Sequence, residues 1–252
     1  MCLIAFNWLD HPVYRMILVG NRDEFFDRPT ASLHLWPEGF YAGKDLKGGG
    51  TWTGFHPNGR FAALTNYRIV DEPKLNPISR GHLVKGFLES RQKPLEYLNQ
   101  IQEQMHRYEG FNLLVAEGEQ MAYLSNIREE VEIVDRGLHG ISNAFLDTPW
   151  PKVEQAKQQL QEAMFKNKLD ENDLLQLLQS KTYAAEQDLP RTGVDLEMER
   201  ILSAQFIQMG QDYGTVNTTV ILWKHSGEVV VKERRLVPKK VTSVRFQAQQ
   251  AS

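Results

Sequence analysis

The chain has 252 residues, a net charge of −3, and 41% hydrophobic against 24% charged residues, an ordinary make-up for a soluble globular protein with ample material for a core. That charge gives no electrostatic reason to expect nucleic acid as a partner. The single cysteine excludes an internal disulfide framework and any multi-cysteine zinc or iron–sulfur site, and no apolar run is long enough to predict a membrane span.

The chain opens with short apolar runs at Cys2 to Trp8 and Tyr14 to Gly20, joined by the polar turn Asp10-His11-Pro12, which predicts a hairpin. The N-terminal apolar stretch is broken by Asn7 and Asp10 and has no basic region before it. It does not read as a signal peptide, and a cytoplasmic protein is expected. Thr51 to Phe55 and Arg60 to Asn66 flank His56-Pro57-Asn58-Gly59, a second hairpin whose Asn58-Gly59 pair would supply positive φ. The middle is helical. Leu83, Val84, Phe87 and Leu88 suggest one short helix, and Pro94 suits the first position of another that carries Leu95, Leu98, Ile101 and Met105. Phe111 to Ala116 and Met121 to Asn126 read as strands, continued by Val131 to Val134 and Gly140 to Asn143. Asp147-Thr148 would cap a second helical block along Val153, Ala156, Leu160 and Met164, and Leu174, Leu175 and Leu178 mark a further helix. Strands return at Thr218 to Trp223 and Glu228 to Leu236. Hairpin-joined strands with helices in separate blocks predict an α+β fold of antiparallel sheets, in one domain over residues 1–252.

Cys2 is the most informative residue. Removal of Met1 would leave a thiol and a free α-amine on one residue, a self-contained nucleophile and base. Asn21-Arg22-Asp23-Glu24 follows the second apolar run. If the first two strands pair, Arg22 would lie near the chain start and favour a thiolate, and Asp23 could orient the amine. The competing reading of those residues is a solvated turn. Asn66 and Asn143 each end a strand. Each is either a turn residue or a donor to a developing oxyanion. Lys47-Gly48-Gly49-Gly50-Thr51-Trp52 lacks the ending of a nucleotide loop and is expected to run close to another backbone or a ligand. The seven histidines form no ligand pair, so no metal site and no cofactor is expected. The stretch from Lys232 to Lys240 alternates basic and apolar residues, as a solvated strand edge would.

These residues resemble the NRDE family, also called the transport and Golgi organisation protein 2 family. The resemblance rests on Met1-Cys2, Asn21-Arg22-Asp23-Glu24, Gly48-Gly49-Gly50-Thr51-Trp52-Thr53-Gly54, Ala63-Leu64-Thr65-Asn66-Tyr67-Arg68, Ser79-Arg80-Gly81, Gly110-Phe111-Asn112-Leu113-Leu114, Ile141-Ser142-Asn143 and Tyr213-Gly214-Thr215. That family is similar to N-terminal-nucleophile hydrolases of the penicillin V acylase and bile salt hydrolase branch. The resemblance implies a four-layer αββα sandwich of two antiparallel sheets. It also implies a cysteine amidohydrolase acting on a non-peptide C–N bond of a small acylated molecule. Cys2 would be the nucleophile, Asp23 and Arg22 would serve the amine and thiol, and Asn66 and Asn143 would form the oxyanion hole. The same resemblance supports an alternative, a non-catalytic carrier of haem or an acyl lipid. The hydrolases carry a further arginine in the late strand region, where this chain has Val216.

Overall fold

The computed structural model describes residues 2–70, 74–75, 77–166 and 169–249. Met1 and the expectation of its removal lie outside the described residues. In chain order the strands are β1 (Cys2–Trp8), β2 (Tyr14–Phe25), β3 (Thr30–Leu35), β4 (Tyr41–Asp45), β5 (Thr53–His56) and β6 (Arg60–Asn66). Helices α1 (Gly81–Glu89) and α2 (Pro94–Gln104) follow, then β7 (Phe111–Glu117), β8 (Gln120–Ser125), β9 (Val131–Ile133) and β10 (Gly137–Ile141). The remainder is α3 (Pro151–Met164), α4 (Glu171–Leu174), α5 (Leu196–Leu202), β11 (Gln208–Met209), β12 (Tyr213–Lys224), β13 (Glu228–Leu236) and β14 (Lys239–Gln247).

The strands form two antiparallel sheets. The first has the order β10-β1-β2-β12-β13-β14, with β11 on β12, and the second runs β3 to β9 in sequence order. Side-chain alternation along each strand builds the layers. Ile4, Phe6, Trp8, Met16 and Leu18 of the first sheet meet Phe55, Phe61, Ala63, Leu114 and Tyr123 of the second. The intervening residues Leu3, Ala5, Ile17, Val19, Val220 and Leu222 point the other way and pack on Val153, Ala156, Leu160 and Leu174. On the outer face of the second sheet, Ala62, Leu64, Leu113 and Val115 pack on Leu83, Phe87, Leu98 and Ile101 of α1 and α2. The result is the four-layer αββα sandwich that the resemblance implied.

Several local expectations change. Strand β2 does not end at Gly20. It continues through Asn21-Arg22-Asp23-Glu24 because β12 pairs along that whole segment, with Thr218 opposite Asn21, Asn217 opposite Arg22 and Thr215 opposite Asp23. The reading of those residues as a solvated turn is therefore replaced by a buried strand end. Asp147-Thr148 does not cap α3. The residue before Pro151 is Trp150, and Asp147 instead accepts from the Gly140 N–H and pairs with His139. Only Gly59 of the Asn58-Gly59 pair has positive φ. Leu174, Leu175 and Leu178 are buried, but Leu174 ends a single helical turn and the other two lie beyond it, so no longer helix forms. The basic stretch spans β13, an interior strand, and only its far end reaches the edge strand β14. Gly50 does run against backbone, as expected. Its Cα side faces Gly81, and the Thr51 N–H donates to Gly81 O at 3.2 Å. That contact seats the start of α1 against the segment that leads into β5.

Candidate active site

Cys2 is the first residue of β1 and pairs with Arg22 across the β1–β2 ladder. Its buried thiol opens on a cavity of about 480 Å³ at one end of the sandwich. Arg22, Asp23, Trp52, Asn66, Arg80 and Tyr213 are among the residues lining it. Four of the five expected site residues, Cys2, Arg22, Asp23 and Asn66, thus meet at one opening. Asn143 is fully buried and does not line it.

Strand alternation separates the neighbours Arg22 and Asp23. Arg22 turns to the space between the sheets, where its guanidinium lies 4.4 Å from the Trp52 ring and its Nη2 is 3.3 Å from Glu24 Oε2. Asp23 shares the helix-side face with Asn21. Asp23 Oδ1 accepts from Thr215 Oγ1 at 2.7 Å, and Asn21 donates to Leu178 O and Gln205 O while accepting from Thr218 Oγ1.

Asn143 serves Asn66 and Cys2 from behind. Its Nδ2 donates to Asn66 O at 2.9 Å. Ser142 Oγ lies 2.8 Å from the Cys2 carbonyl oxygen and 3.2 Å from Asn143 Oδ1, both acceptors. The backbone of Cys2 and the end of β6 are therefore joined through Ser142 and Asn143. The Asn66 carboxamide itself makes no hydrogen bond among the described residues, and Asn66 is part of the cavity lining.

The buried groups shift in ways that burial dictates. Desolvation pushes the Cys2 thiol above its ordinary pKa; the Asp23 charge adds to this, while Arg22 and the Asp23 N–H oppose it. Desolvation also raises Asp23 against the pull of Lys152, the Thr215 bond and Arg22. Lys152, fully buried in the first turn of α3, is driven down to about 7, by desolvation first and then by Arg68, with Asp23 and Cys2 acting the other way. Burial thus moves both Asp23 and Lys152 toward their neutral forms.

No role was expected for Lys152, Arg68 or Glu199. Lys152 Nζ donates to Leu202 O at 2.9 Å, and Arg68 Nη1 pairs with Glu199 Oε2 at 2.8 Å while the Arg68 N–H donates to Asn143 O at 2.7 Å. One signal was available for Lys152. It stands four and eight residues before Ala156 and Leu160, on the stripe that α3 buries. Arg68 and Glu199 lie 131 positions apart, and no local pattern joins them. Val216 sits at a bulge in β12, between Thr215 and Asn217, and does not line the cavity. Among the described residues no group of three His, Cys, Asp or Glu side chains could hold a metal ion, and no helix is long and apolar enough to cross a membrane.

The family model described as Transport and Golgi organisation 2 matches residues 1–238. The Transport and Golgi organization protein 2 homolog of Bos taurus is 36% identical to this chain, and the match covers 94% of each. The Homo sapiens homolog is 35% identical over 95% of this chain and 94% of its own length. Transport and Golgi organization protein 2 of Drosophila melanogaster is 29% identical over 64% of each. Among solved structures, the Caenorhabditis elegans N-acylethanolamine-hydrolyzing acid amidase ortholog aligns with TM-score 0.49 and 12% identity, over 88% of this chain and 92% of that chain. That likeness is too weak to argue from. The matches along nearly the whole sequence place the chain in the Transport and Golgi organisation 2 family.

Proposed function

We propose that the protein is an N-terminal cysteine amidohydrolase acting on a non-peptide C–N bond of a small acylated molecule, in the cytoplasm. One observation carries the reading: the Cys2 thiol and the Asn66 carboxamide open on the same cavity, and Ser142 and Asn143 tie their backbones together.

The chemistry follows from those positions. A thiol with a raised pKa is protonated at neutral pH, so attack needs a base. The α-amine of Cys2, freed by loss of Met1, takes the proton from Sγ as the Sγ–C bond forms at the substrate carbonyl. Asp23, buried beside the strand end, orients the resulting ammonium. Arg22, held on Trp52 and Glu24, biases the thiol toward thiolate. The carbonyl oxygen gains the negative charge, and Asn66 Nδ2 donates to it. A well-placed donor of this kind is worth about 3–4 kcal/mol of transition-state stabilisation. Asn143 positions Asn66. Collapse breaks the C–N bond, the leaving amine takes the proton from the ammonium, and water hydrolyses the thioester. No described histidine lines the cavity, and the scheme uses none.

The test begins with intact mass of the natively expressed protein and alkylation at neutral pH. Loss of Met1 with rapid single-site labelling at Cys2 is expected, followed by turnover on a panel of small acyl amides. A Cys2→Ala variant that kept full turnover would falsify the proposal.

A second reading has its own observation. An apolar slot of about 20 Å³ lies behind Cys2, between Ile4, Leu18 and Leu64. In a carrier of haem or an acyl lipid, that slot has room for only a methyl-sized end of the ligand, and Cys2 would be a ligand or idle. Saturable spectral or thermal shifts with haem or a fatty acyl compound, retained Met1 and no turnover would favour it.

A further inference from the structure

Three arginines line the cavity, and their partners differ. Arg28 Nη2 pairs with Asp45 Oδ2 at 2.7 Å, and its Nε lies 3.5 Å from Glu24 Oε2. Arg22 shares the same Glu24 oxygen at 3.3 Å. Arg80 has no carboxylate within ion-pair distance among the described residues. Its Nη1 donates to a neutral acceptor, Gly110 O, at 2.9 Å. The nearest acidic influence is Glu109, whose Oε1 instead accepts the Lys74 N–H at 2.9 Å. Asp23, the remaining carboxylate of the lining, is held by Thr215. An arginine stays charged in any protein environment, and a partly desolvated charge without a counter-ion is costly unless a ligand supplies one.

The neighbours of Arg80 fit that role. Ser79 precedes it, also lines the cavity, and its hydroxyl has no partner among the described residues. Gly50 and Gly81 pack backbone against backbone, which fixes this corner of the cavity. The positive end of α1 lies in the same corner and adds to the field. The position is within electrostatic reach of Cys2. A guanidinium with a hydroxyl beside it matches the flat or tetrahedral oxygen arrays of carboxylate and phosphate.

We propose that Arg80, with Ser79, binds a carboxylate or phosphate group on the molecule whose carbonyl is presented to Cys2. The substrate class is thereby an acylated molecule bearing an anion, not a neutral amide. The inference rests on reading this cavity as the place where Cys2 meets its ligand. It is independent of whether turnover follows, and it also assigns work to the Ser79-Arg80-Gly81 motif.

Alkylation of Cys2 by iodoacetate and by iodoacetamide tests it, because the two reagents differ in the carboxylate. The readout is the ratio of the two rates, compared with the same ratio for glutathione, so a change in thiolate fraction cancels. The expected ratio exceeds that of glutathione by about tenfold, the scale of one charge-assisted contact. It should saturate with iodoacetate, and glutarate or inorganic phosphate should suppress it where chloride at equal ionic strength does not. Stronger protection by glutarate identifies a carboxylate ligand, and stronger protection by phosphate a phosphate ligand. Arg80→Gln should lower the ratio to the glutathione value, and Arg80→Lys should retain part of the preference. A ratio equal to that of glutathione in the wild-type protein overturns the inference while leaving the amidohydrolase proposal standing. Anion preference without turnover of any amide does the reverse. If the thiol reacts with neither reagent, thermal unfolding decides: a rise in melting temperature with phosphate or glutarate over chloride, lost in Arg80→Gln, supports the site, and no rise overturns it.

Discussion

Replacing Glu233 with glutamine should stabilise the protein, and by an amount that grows with pH. Glu233 lies between the sheets with 3% of its surface exposed. Its Oε1 accepts the Leu33 N–H at 2.8 Å, and its Oε2 accepts from Asn217 Nδ2 at 3.1 Å, so it ties β13 to β3. Burial raises its pKa from 4.5 to about 7, against the Leu33 bond and the charges of Arg22, Arg235 and Lys240. The sign follows directly. The unfolded carboxyl loses its proton near 4.5 and the folded one near 7, so between those values the folded state holds more protons and stability falls as pH rises. The whole penalty, about 3 kcal/mol, is present once both states are ionised. Glutamine removes it without orphaning the contacts. Its carbonyl oxygen still accepts from Leu33, and its amide can donate to Asn217 once that side chain flips to present Oδ1, which has no partner in the present arrangement. Urea unfolding of both proteins from about pH 5 to about pH 8 should show their free-energy gap widening by about 2–3 kcal/mol in favour of the variant. A gap that stays constant with pH, or a variant less stable at the upper end, refutes the reasoning.

Other outcomes follow from single contacts. Asn66→Ala should cut kcat on any amide substrate by roughly 10²–10³-fold while leaving the alkylation rate of Cys2 nearly unchanged; an equal loss in both would place Asn66 in folding of the site instead. Arg68→Met should cost about 3–5 kcal/mol in chemical unfolding because Glu199, bonded also to Thr192, would be left buried without its cation. The double variant with Glu199→Gln should recover a large part of that loss, and a simple sum of the two single costs would count against a coupled pair. Gly50→Ala would place a Cβ about 2.6 Å from Gly81 O. It should destabilise by about 1–3 kcal/mol and weaken the iodoacetate preference of Cys2 by displacing Arg80, effects read in one melt and one rate ratio.

Much of the sandwich was legible in the chain. The short apolar runs Cys2–Trp8 and Tyr14–Gly20, the Gly59 turn, and the apolar faces that become α1, α2 and α3 each follow from local sequence pattern. The edge strands β3 and β14 and the interior strand β4 were not foreseen. Thr30–Leu35 and Lys239–Gln247 are partly exposed and polar, and they are strands because a neighbouring strand supplies their ladder bonds. Helix α5 was missed for a related reason: it is seven residues long, and Leu202 is its only fully buried apolar side chain.

The site divides along the same line. By itself the sequence determined which chemistry was available: one thiol at position 2, an Asn-Arg-Asp-Glu run, and the asparagines Asn66 and Asn143, since these are properties of residue type and local order; Asn66 does end β6, whereas β10 stops at Ile141 and leaves Asn143 in the turn after it. Only the tertiary structure decided where each sits and what it touches. Pairing of β2 with β12 buries Arg22 and Asp23 and sends them to opposite faces. Packing of α3 on the first sheet buries Lys152 within electrostatic reach of Asp23 and Cys2, and Arg80, beside the Gly50–Gly81 contact, has no counter-ion among the described residues. Burial and the meeting of distant segments set the pKa values and the free partners, and neither quantity exists until the chain has closed on itself.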